Sequence, residues 1–549
     1  MPTYMTYNQI LRDQTRDYLA TINPARVPSP DEIESEILHK VASYIDAVNA
    51  VSASGQKLRT PKALLPAQIA EIMACLYPIR RIRTVGENAS EDNDIIAVYC
   101  DQGENAGIYV NNDTTLFSIA KQYKYDLRQR EFEEIMYILR GLVPSVKQAT
   151  DPDLIAVNNG IFNYKTKQLM PFSPDYIFTS KSRVNYVVNP PLPVYHNPDD
   201  NTDWDVESWI QDLSDDPEIV NSIWEILGAI LRPHVRWNKA AWLYSTSGNN
   251  GKGTLCELMR SLVGRGSYAS IPIADFGKDF LLEPLIRSQA IIVDENDVGQ
   301  YLDRAANLKA VITNDVIQIN RKFKTPIAYQ FYGFMVQCLN EMPRVKDRSD
   351  SFYRRQLFIP FEKCFTGRER RYIKNDYLHR QDTLEYVLWR VLNMNYYTLS
   401  EPAACKAALA EYKEYNDPVR QFVSEMLPQC VWDFLPFKFL YDLYKSWLRE
   451  VSPAGTPVGK TTFTNELLTH LKEDPSIGWY CEGKCKNVRV GHMMDKPEPL
   501  IIQYELNNWK NNAYRGNDMT MICPTTPKQY QYGIRRMLVV QNTQGQEAV

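Results

Sequence analysis

The chain has 549 residues, enough for three or four domains, and its 44% hydrophobic and 11% aromatic residues can form large cores. Its formal net charge of −4 does not favour a protein that covers long stretches of duplex DNA, since such proteins are usually basic. No apolar run approaches the roughly 20 residues of a membrane span, and the N-terminus lacks a basic-then-apolar signal pattern. We therefore expect a cytoplasmic protein with no membrane partner.

Helical and strand patterns alternate over the N-terminal part. Ser29–Val51 and Pro61–Tyr77 have amphipathic spacing behind helix start signals, and Ile95–Tyr99 has the composition of a strand. These patterns predict a helical region at 1–90 and an α+β domain at 91–204. The next stretch, Asp205–Leu231, is predicted to be helical.

Ala240–Leu262 follows the order strand, phosphate-sized loop, helix. Backbone N–H groups of such a loop and the positive end of the helix can hold a polyphosphate, and a lysine adds a mobile charge for the β/γ-phosphates. The predicted nucleotide-binding residues are Ser247, Gly248, Asn249, Asn250, Gly251, Lys252, Gly253, Thr254 and Leu255. The pattern therefore indicates a site for ATP.

This loop departs from the strict pattern G-x-x-x-x-G-K-[ST]. Thr246 stands in place of the first glycine, and Gly253 stands in place of the hydroxyl residue that binds Mg²⁺. Thr254, one residue later, is the candidate metal ligand instead. The alternative interpretation is a Gly/Asn turn between a strand and a helix, which is common in α/β proteins.

A second acidic element follows at Ala290–Asn296, an apolar run that ends in carboxylates. Buried parallel strands have this pattern, and ligands of open α/β sheets bind at their carboxyl ends. We predict that Asp294 holds Mg²⁺ and that Glu295 polarises the attacking water as general base. The alternative is a strand that ends in a solvated acidic turn.

Two further polar positions adjoin predicted strands. Phe334–Leu339 ends at Asn340, whose amide can bind the γ-phosphate or the lytic water. Arg354 and Arg355 come directly before an apolar strand, and an arginine at a subunit edge can reach a neighbour's γ-phosphate. Adjacent residues on a strand face opposite sides, so one of the two must point inward, and Arg355 is favoured over Arg354. The alternatives are a turn residue before a proline and a solvated strand end.

Between these elements, Val316–Tyr329 alternates as a β-hairpin with cations and one aromatic residue near its tip. Cations neutralise phosphate and aromatic rings stack on bases, so Arg321, Lys322, Phe323 and Lys324 are the candidate contacts to DNA. The alternative is an ordinary surface hairpin with solvated lysines.

The segments GNNGKGT, IIVDEND, LKAVITNDVIQINRKFK, CLNEMP and DSFYRRQLFIPF, in this order, resemble a superfamily 3 helicase. More narrowly, they resemble the primase-helicase family of phages, plasmids, mobile elements and poxviruses. The resemblance implies an AAA+ ATPase at 205–365 that uses ATP and Mg²⁺. It also implies a homo-hexameric ring that moves along single-stranded or forked DNA, with the hairpin in the channel.

The C-terminal third is predicted from local patterns and from the same resemblance. A helical linker at 366–416 contains the basic stretch Gly367–Arg380. The remainder, 417–549, looks like a winged-helix domain with Lys460–Leu471 as its recognition helix. A helical bundle that only packs against the ring is the alternative.

The predicted fold class is therefore α/β and multidomain: a central AAA+ P-loop ATPase domain, an α+β N-terminal region and a winged-helix-like C-terminal domain. The leading function is an ATP-dependent replicative DNA helicase of a mobile genetic element or phage, working with other replication proteins. The alternative is an AAA+ ATPase that loads or remodels replication proteins without moving on DNA. A nicking initiator is not favoured because the six histidines form no H-x-H pair.

Overall fold

The computed structural model describes residues 5–53, 55–85, 91–297, 301–302, 304–322, 324–367, 369–451, 457–481, 488–511, 513–522 and 530–537. The protein is a mixed α/β chain that divides into two compact units, Met1–Ala408 and Leu409–Val549. Within the described residues, no helix combines the length and the apolar character that a bilayer crossing requires.

The N-terminal part of the first unit packs helices around a small sheet. Its elements are α1 (Tyr7–Leu19), α2 (Pro30–Val51), α3 (Pro66–Leu76), β1 (Ile79–Arg83), β2 (Ile95–Tyr99), β3 (Tyr109–Val110), α4 (Asp113–Lys121), α5 (Gln129–Leu142), β4 (Ser145–Lys147), β5 (Leu154–Val157), β6 (Gly160–Asn163), β7 (Gln168–Met170), β8 (Tyr195–Asn197) and β9 (Thr202–Trp204). The first sheet has the order β3-β2-β1-β4. Ser29 and Glu32 form the capping box that begins α2, which agrees with the predicted start signal.

The central part contains the sheet that positions the candidate site. Its elements are α6 (Val206–Gln211), α7 (Pro217–Ala229), β10 (Ala240–Tyr244), α8 (Lys252–Val263), β11 (Tyr268–Ala269), β12 (Ala290–Val293), β13 (Tyr301–Leu302), α9 (Ala306–Ile312), β14 (Val316–Arg321), β15 (Lys324–Gln330), β16 (Phe334–Leu339), β17 (Arg344–Val345), α10 (Asp350–Tyr353), β18 (Gln356–Pro360), α11 (Arg371–Asn375), α12 (Gln381–Leu392) and α13 (Ala403–Asn416). Five of the strands form one sheet in the order β11-β12-β16-β10-β18. All of its pairings are parallel.

The central strands are buried on both faces, as their continuous apolar sequences predict. Every residue of β12 and of β16 is buried. The prediction that Asp205–Leu231 is helical is confirmed over most of the stretch, which forms two helices, α6 and α7, with a break between them. The Asp216 side chain accepts the N–H of Glu218, and Pro217 begins the second helix.

The second unit has its own aromatic-rich core. Its elements are α14 (Pro418–Met426), β19 (Phe434–Pro436), α15 (Phe437–Val451), α16 (Lys460–Glu473), β20 (Trp479–Tyr480), β21 (Val488–Arg489), α17 (Leu500–Gln503), α18 (Met519–Ile522), β22 (Tyr530–Gln531) and β23 (Gly533–Arg536). Strands β19, β23 and β20 form an antiparallel sheet in that order. The predicted helix at Lys460–Leu471 is confirmed as part of α16.

Candidate nucleotide-binding site

The parallel sheet brings the predicted site residues to one edge. Strands β10, β12 and β16 all end there, and β16 lies between the other two. The backbone N–H of Ser245 donates to the carbonyl of Leu339 over 3.1 Å, so the loop after β10 lies beside the end of β16. Ligands of open parallel sheets bind at this edge.

The loop between β10 and α8 is folded by its own side chains. The Asn250 amide donates to the carbonyl of Ser247 over 2.5 Å. Gly251 adopts a left-handed conformation with φ of 86° and caps α8. A Cβ at this position would lie 2.7 Å from Cδ2 of Leu213, so the turn requires glycine for both conformation and space. The loop therefore has the tight backbone path that a phosphate site needs.

Lys252 is the most unusual residue of this edge. It is only 4% exposed, and its Nζ has no hydrogen-bond partner among the residues that the structure describes. Burial lowers the pKa of its ammonium group below the usual value. An unpaired buried cation at a helix N-terminus is costly unless an anion joins it, and polyphosphate is such an anion. The residue thus fits the role predicted for it.

The two candidate metal ligands lie in different surroundings. Thr254 is half-buried on the wall of a groove of about 1090 Å³ that also contains Asn249 and Gly251. Asp294 follows β12 and accepts two bonds from Arg260, with Nη2–Oδ1 and Nη1–Oδ2 distances of 2.8 and 3.2 Å. The hydrogen bond from Arg260 lowers the pKa of the Asp294 carboxyl. The carboxylate is therefore ionised and already holds a cation.

No group of three His, Cys, Asp or Glu side chains that could hold a metal ion occurs among the described residues. The Asp294 carboxylate and the Thr254 hydroxyl are oxygen donors of the kind that Mg²⁺ uses, since Mg²⁺ is usually bound by one or two carboxylates together with substrate phosphates and water.

The other predicted catalytic positions are accessible. Glu295 and Asn340 are both exposed at this edge of the sheet. Between them lies a contact that the sequence did not reveal: the Asn296 amide donates to Gln337 Oε1 and to the Cys338 carbonyl, each over 3.0 Å. This pair of bonds ties the chain after β12 to β16.

The two arginines precede β18, but neither belongs to a strand. Strand alternation therefore does not determine which of the two side chains points inward. Arg354 caps the short helix α10 and is exposed. Arg355 is half-buried, and its guanidinium donates to the hydroxyl of Ser351 over 2.7 Å and to the carbonyl of the same residue. Arg354 is therefore the more exposed of the two.

The predicted hairpin is confirmed as β14 and β15, which pair in antiparallel register. The Arg321 guanidinium folds back onto the carbonyl of Thr325, with distances of 2.8 and 3.1 Å, and Lys322 is exposed at the tip. Phe323 and the side chain of Lys324 lie outside the described residues. The hairpin base is held by Asn93, whose side chain accepts the N–H of Ala328 over 2.8 Å.

Sequence reasoning missed Arg260 as part of the site. It lies eight residues after Lys252 on α8, a spacing that places both residues on one broad stripe of the helix. That spacing is a usable signal, but many helical arginines share it. The pairing with Asp294 depends on how close α8 packs to β12, and the sequence does not give that distance.

Three family models match separate parts of the chain. The D5 N terminal like model matches residues 103–215, the model of a family of unknown function (DUF5906) matches 243–355, and the Poxvirus D5 protein-like model matches 414–496. The two D5 matches support a relation to the primase-helicase family with a superfamily 3 type helicase. No curated protein matches the chain significantly.

Solved structures with some similarity include two of the NrS-1 C-terminal region. One is 16% identical with a TM-score of 0.40, covering 80% of this chain and 91% of that one. The other is 14% identical with a TM-score of 0.39, covering 75% and 86%. A structure of the JCV helicase is 16% identical with a TM-score of 0.24, covering 38% and 58%.

We predict that the buried charge of Lys252 lowers the free energy of unfolding of the protein when no nucleotide is bound. Lys252→Met keeps the length of the side chain and removes its charge, so we expect the free energy of unfolding at pH 7 to rise by about 1–3 kcal/mol. The folded pKa of Lys252 lies below its usual value of 10.5. The loss of stability caused by the buried charge is therefore fully present below the pKa of Lys252 in the folded protein, and it disappears as pH rises to the pKa in the unfolded chain. The gain in stability of Lys252→Met should shrink over the same pH range.

Urea unfolding without nucleotide, from pH 7 to pH 10, measures this difference. Lys165→Met, at an exposed lysine, is the matched control and should change little. A Lys252→Met protein that is less stable than wild type at pH 7 would show that Lys252 is not an uncompensated charge.

Proposed function

We propose that this protein is an ATP-driven replicative DNA helicase of a mobile genetic element or phage. In this proposal it forms a homo-hexameric ring that moves on single-stranded DNA. The observation that carries the proposal is the buried, unpartnered Nζ of Lys252 at the carboxyl edge of a parallel sheet. The family matches on either side of this site support the same proposal.

Phosphate binding is assigned to the loop 247–255. The N–H groups at the start of α8 and the Lys252 ammonium take up the negative charge of the β/γ-phosphates. Mg²⁺ would be held by Asp294 and by the Thr254 hydroxyl, and when bound it neutralises charge on the phosphates. Arg260 already binds Asp294, so a metal ion that coordinated this carboxylate directly, rather than through water, would compete with the guanidinium.

Hydrolysis is assigned to the exposed side chains of the same edge. Glu295 accepts a proton from the attacking water, and Asn340 orients that water or the γ-phosphate. Strand β16 lies between β10 and β12, so Asn340 is placed between the phosphate loop and Glu295. This arrangement supports a single catalytic edge for all three groups.

The site is completed in trans by an arginine of a neighbouring subunit. Arg354 is the better candidate of the two, because it is exposed while Arg355 is bonded to Ser351. A site shared between subunits makes hydrolysis depend on the ring.

DNA contact is assigned to the hairpin tip at 321–324. Lys322 is exposed there, and its charge can pair with a phosphate of the strand. Phe323 is proposed to stack on a base. The anchoring of the hairpin base by Asn93 supports a rigid projection rather than a loose loop.

The remaining domains are proposed with the boundaries 1–90, 91–204, 205–365, 366–416 and 417–549. In the last of these, the order α14, β19, α15, α16, β20, β23 and the antiparallel sheet support a winged-helix-like domain. The exposed residues at the start of α16 are Lys460, Thr461 and Thr462, which are candidates for contact with DNA.

The second candidate function is an AAA+ ATPase that loads or remodels replication proteins. The net charge of −4 favours it, because nothing in the overall charge requires DNA. A strand-displacement assay with a forked duplex separates the two functions, since only a helicase releases the strand.

Two substitutions separate binding from hydrolysis. Glu295→Gln should still bind ATP but lose about 10²–10⁴-fold in hydrolysis rate, because an amide cannot accept the proton. Lys252→Ala should lose both, because it removes the cation of the loop. Equilibrium binding of a fluorescent ATP analogue and phosphate release measure the two properties. Glu36→Gln, on an exposed face of α2, is the control, and loss of binding in Glu295→Gln would make that residue structural.

The hairpin is tested through the salt dependence of DNA binding. Lys322→Ala should weaken binding of single-stranded oligonucleotides and flatten the plot of log affinity against log salt, because fewer counterions are released. Fluorescence anisotropy at several salt concentrations gives the slope, with Lys165→Ala as the charge-matched control. An unchanged slope would remove the hairpin tip from the DNA site.

A further inference from the structure

The chain that follows β18 is bonded directly to the phosphate loop. The N–H of Phe365 donates to the carbonyl of Asn249 over 2.7 Å. The Asn249 side chain donates to Glu369 Oε1 over 3.0 Å and to the Thr366 hydroxyl over 3.3 Å. Asn249 itself is held in a left-handed conformation with φ of 51°. These contacts fix the position of the segment after β18 relative to the loop.

This attachment carries α11 over the start of α8. The Nζ of Lys374 lies 3.9 Å from the position that a Cβ at Gly253 would occupy. In the strict P-loop pattern this position carries the hydroxyl side chain. Glycine at 253 therefore leaves open the space that the Lys374 ammonium approaches.

Lys374 also shares a groove with a predicted metal ligand. Both Lys374 and Thr254 line this groove beside the loop, which has a volume of about 1090 Å³.

Three neighbouring cations pair with acids: Lys363 with Asp215 over 2.8 Å, Arg370 with Asp200 over 3.6 Å and Arg380 with Asp376 over 2.6 Å. Lys374 is exposed and forms no ion pair with a described residue. Its charge is available to an anion that enters the groove.

We infer that Lys374 is a second phosphate-binding cation of the same subunit, which contacts the β/γ-phosphates beside Gly253 at the start of α8. The inference rests on the proposed ATP site and adds a residue to it. A triphosphate carries several negative charges, and a hydrogen bond between charged groups is worth more than one between neutral groups.

The test is equilibrium binding of ATP, with Mg²⁺, to three variants of the full chain. Lys374→Ala should weaken ATP binding by on the order of 10- to 100-fold, the effect expected for a lost charged hydrogen bond. Lys374→Arg keeps the charge and should stay within about threefold of wild type. Lys165→Ala, a remote exposed lysine, should match wild type. Because Lys374 is exposed, its substitution should leave the thermal unfolding midpoint unchanged.

The outcomes separate a failure of the proposed function from a failure of the inference about Lys374. If wild-type protein does not bind ATP, or if it binds ATP equally well after Lys252→Ala, the proposed function fails and this inference fails with it. If ATP binding depends on Lys252 but Lys374→Ala stays within twofold of wild type, only the inference about Lys374 is overturned. Equal losses in Lys374→Ala and Lys374→Arg would also overturn it, because charge would then not be the cause.

Discussion

The candidate site depends on one uncompensated charge, the buried ammonium group of Lys252. Folding places this cation under a loop whose backbone is shaped by Gly251, and no described atom satisfies its Nζ. The parallel sheet supplies the burial, because the loop follows the central strand β10 and lies against the end of β16. In the proposed function, the bound phosphates offset the cost of the buried charge, so the ligand-free protein is less stable than it would be without this charge.

The acidic side of the site is arranged differently. The Asp294 carboxylate already has a partner, because Arg260 donates two hydrogen bonds to it. In the proposed site, a divalent ion that coordinated Asp294 directly would compete with this guanidinium, and the arginine has a second carboxylate, Glu257, at 3.3 Å. Lys252 and Arg260 both lie on α8.

Much of the site could be predicted from the sequence because buried parallel strands leave a direct signature. Ala240–Tyr244 and Phe334–Leu339 have the predicted bounds, since their apolar runs end abruptly in polar residues. The polar residues that follow these two strands meet at one edge of the sheet because the strands are parallel neighbours. The sequence also contains a signal for the break between α6 and α7, because Asp216 followed by Pro217 is typical of a helix start.

Other features depend on distances that no sequence pattern contains. The pair of Arg260 and Asp294 requires a helix and a strand to approach closely. The difference between Arg354 and Arg355 follows from α10, a helix of four residues that is too short to show periodicity. The contact of Lys374 with the space above Gly253 joins segments more than a hundred positions apart, and the basic stretch by itself indicated only a charged surface.

The central claim is that the phosphate site around Lys252 is completed by Arg354 of a neighbouring subunit. The most direct measurement is ATP hydrolysis by mixtures of two inactive proteins, Lys252→Ala and Arg354→Ala. Each alone should be nearly inactive, since a trans arginine contributes on the order of 10³–10⁵ in rate, while Arg354→Ala still binds ATP. Mixing should restore part of the activity, because some interfaces join an intact loop to an intact arginine. No recovery on mixing, with a protein that remains monomeric by sedimentation in ATP and single-stranded DNA, would contradict the account.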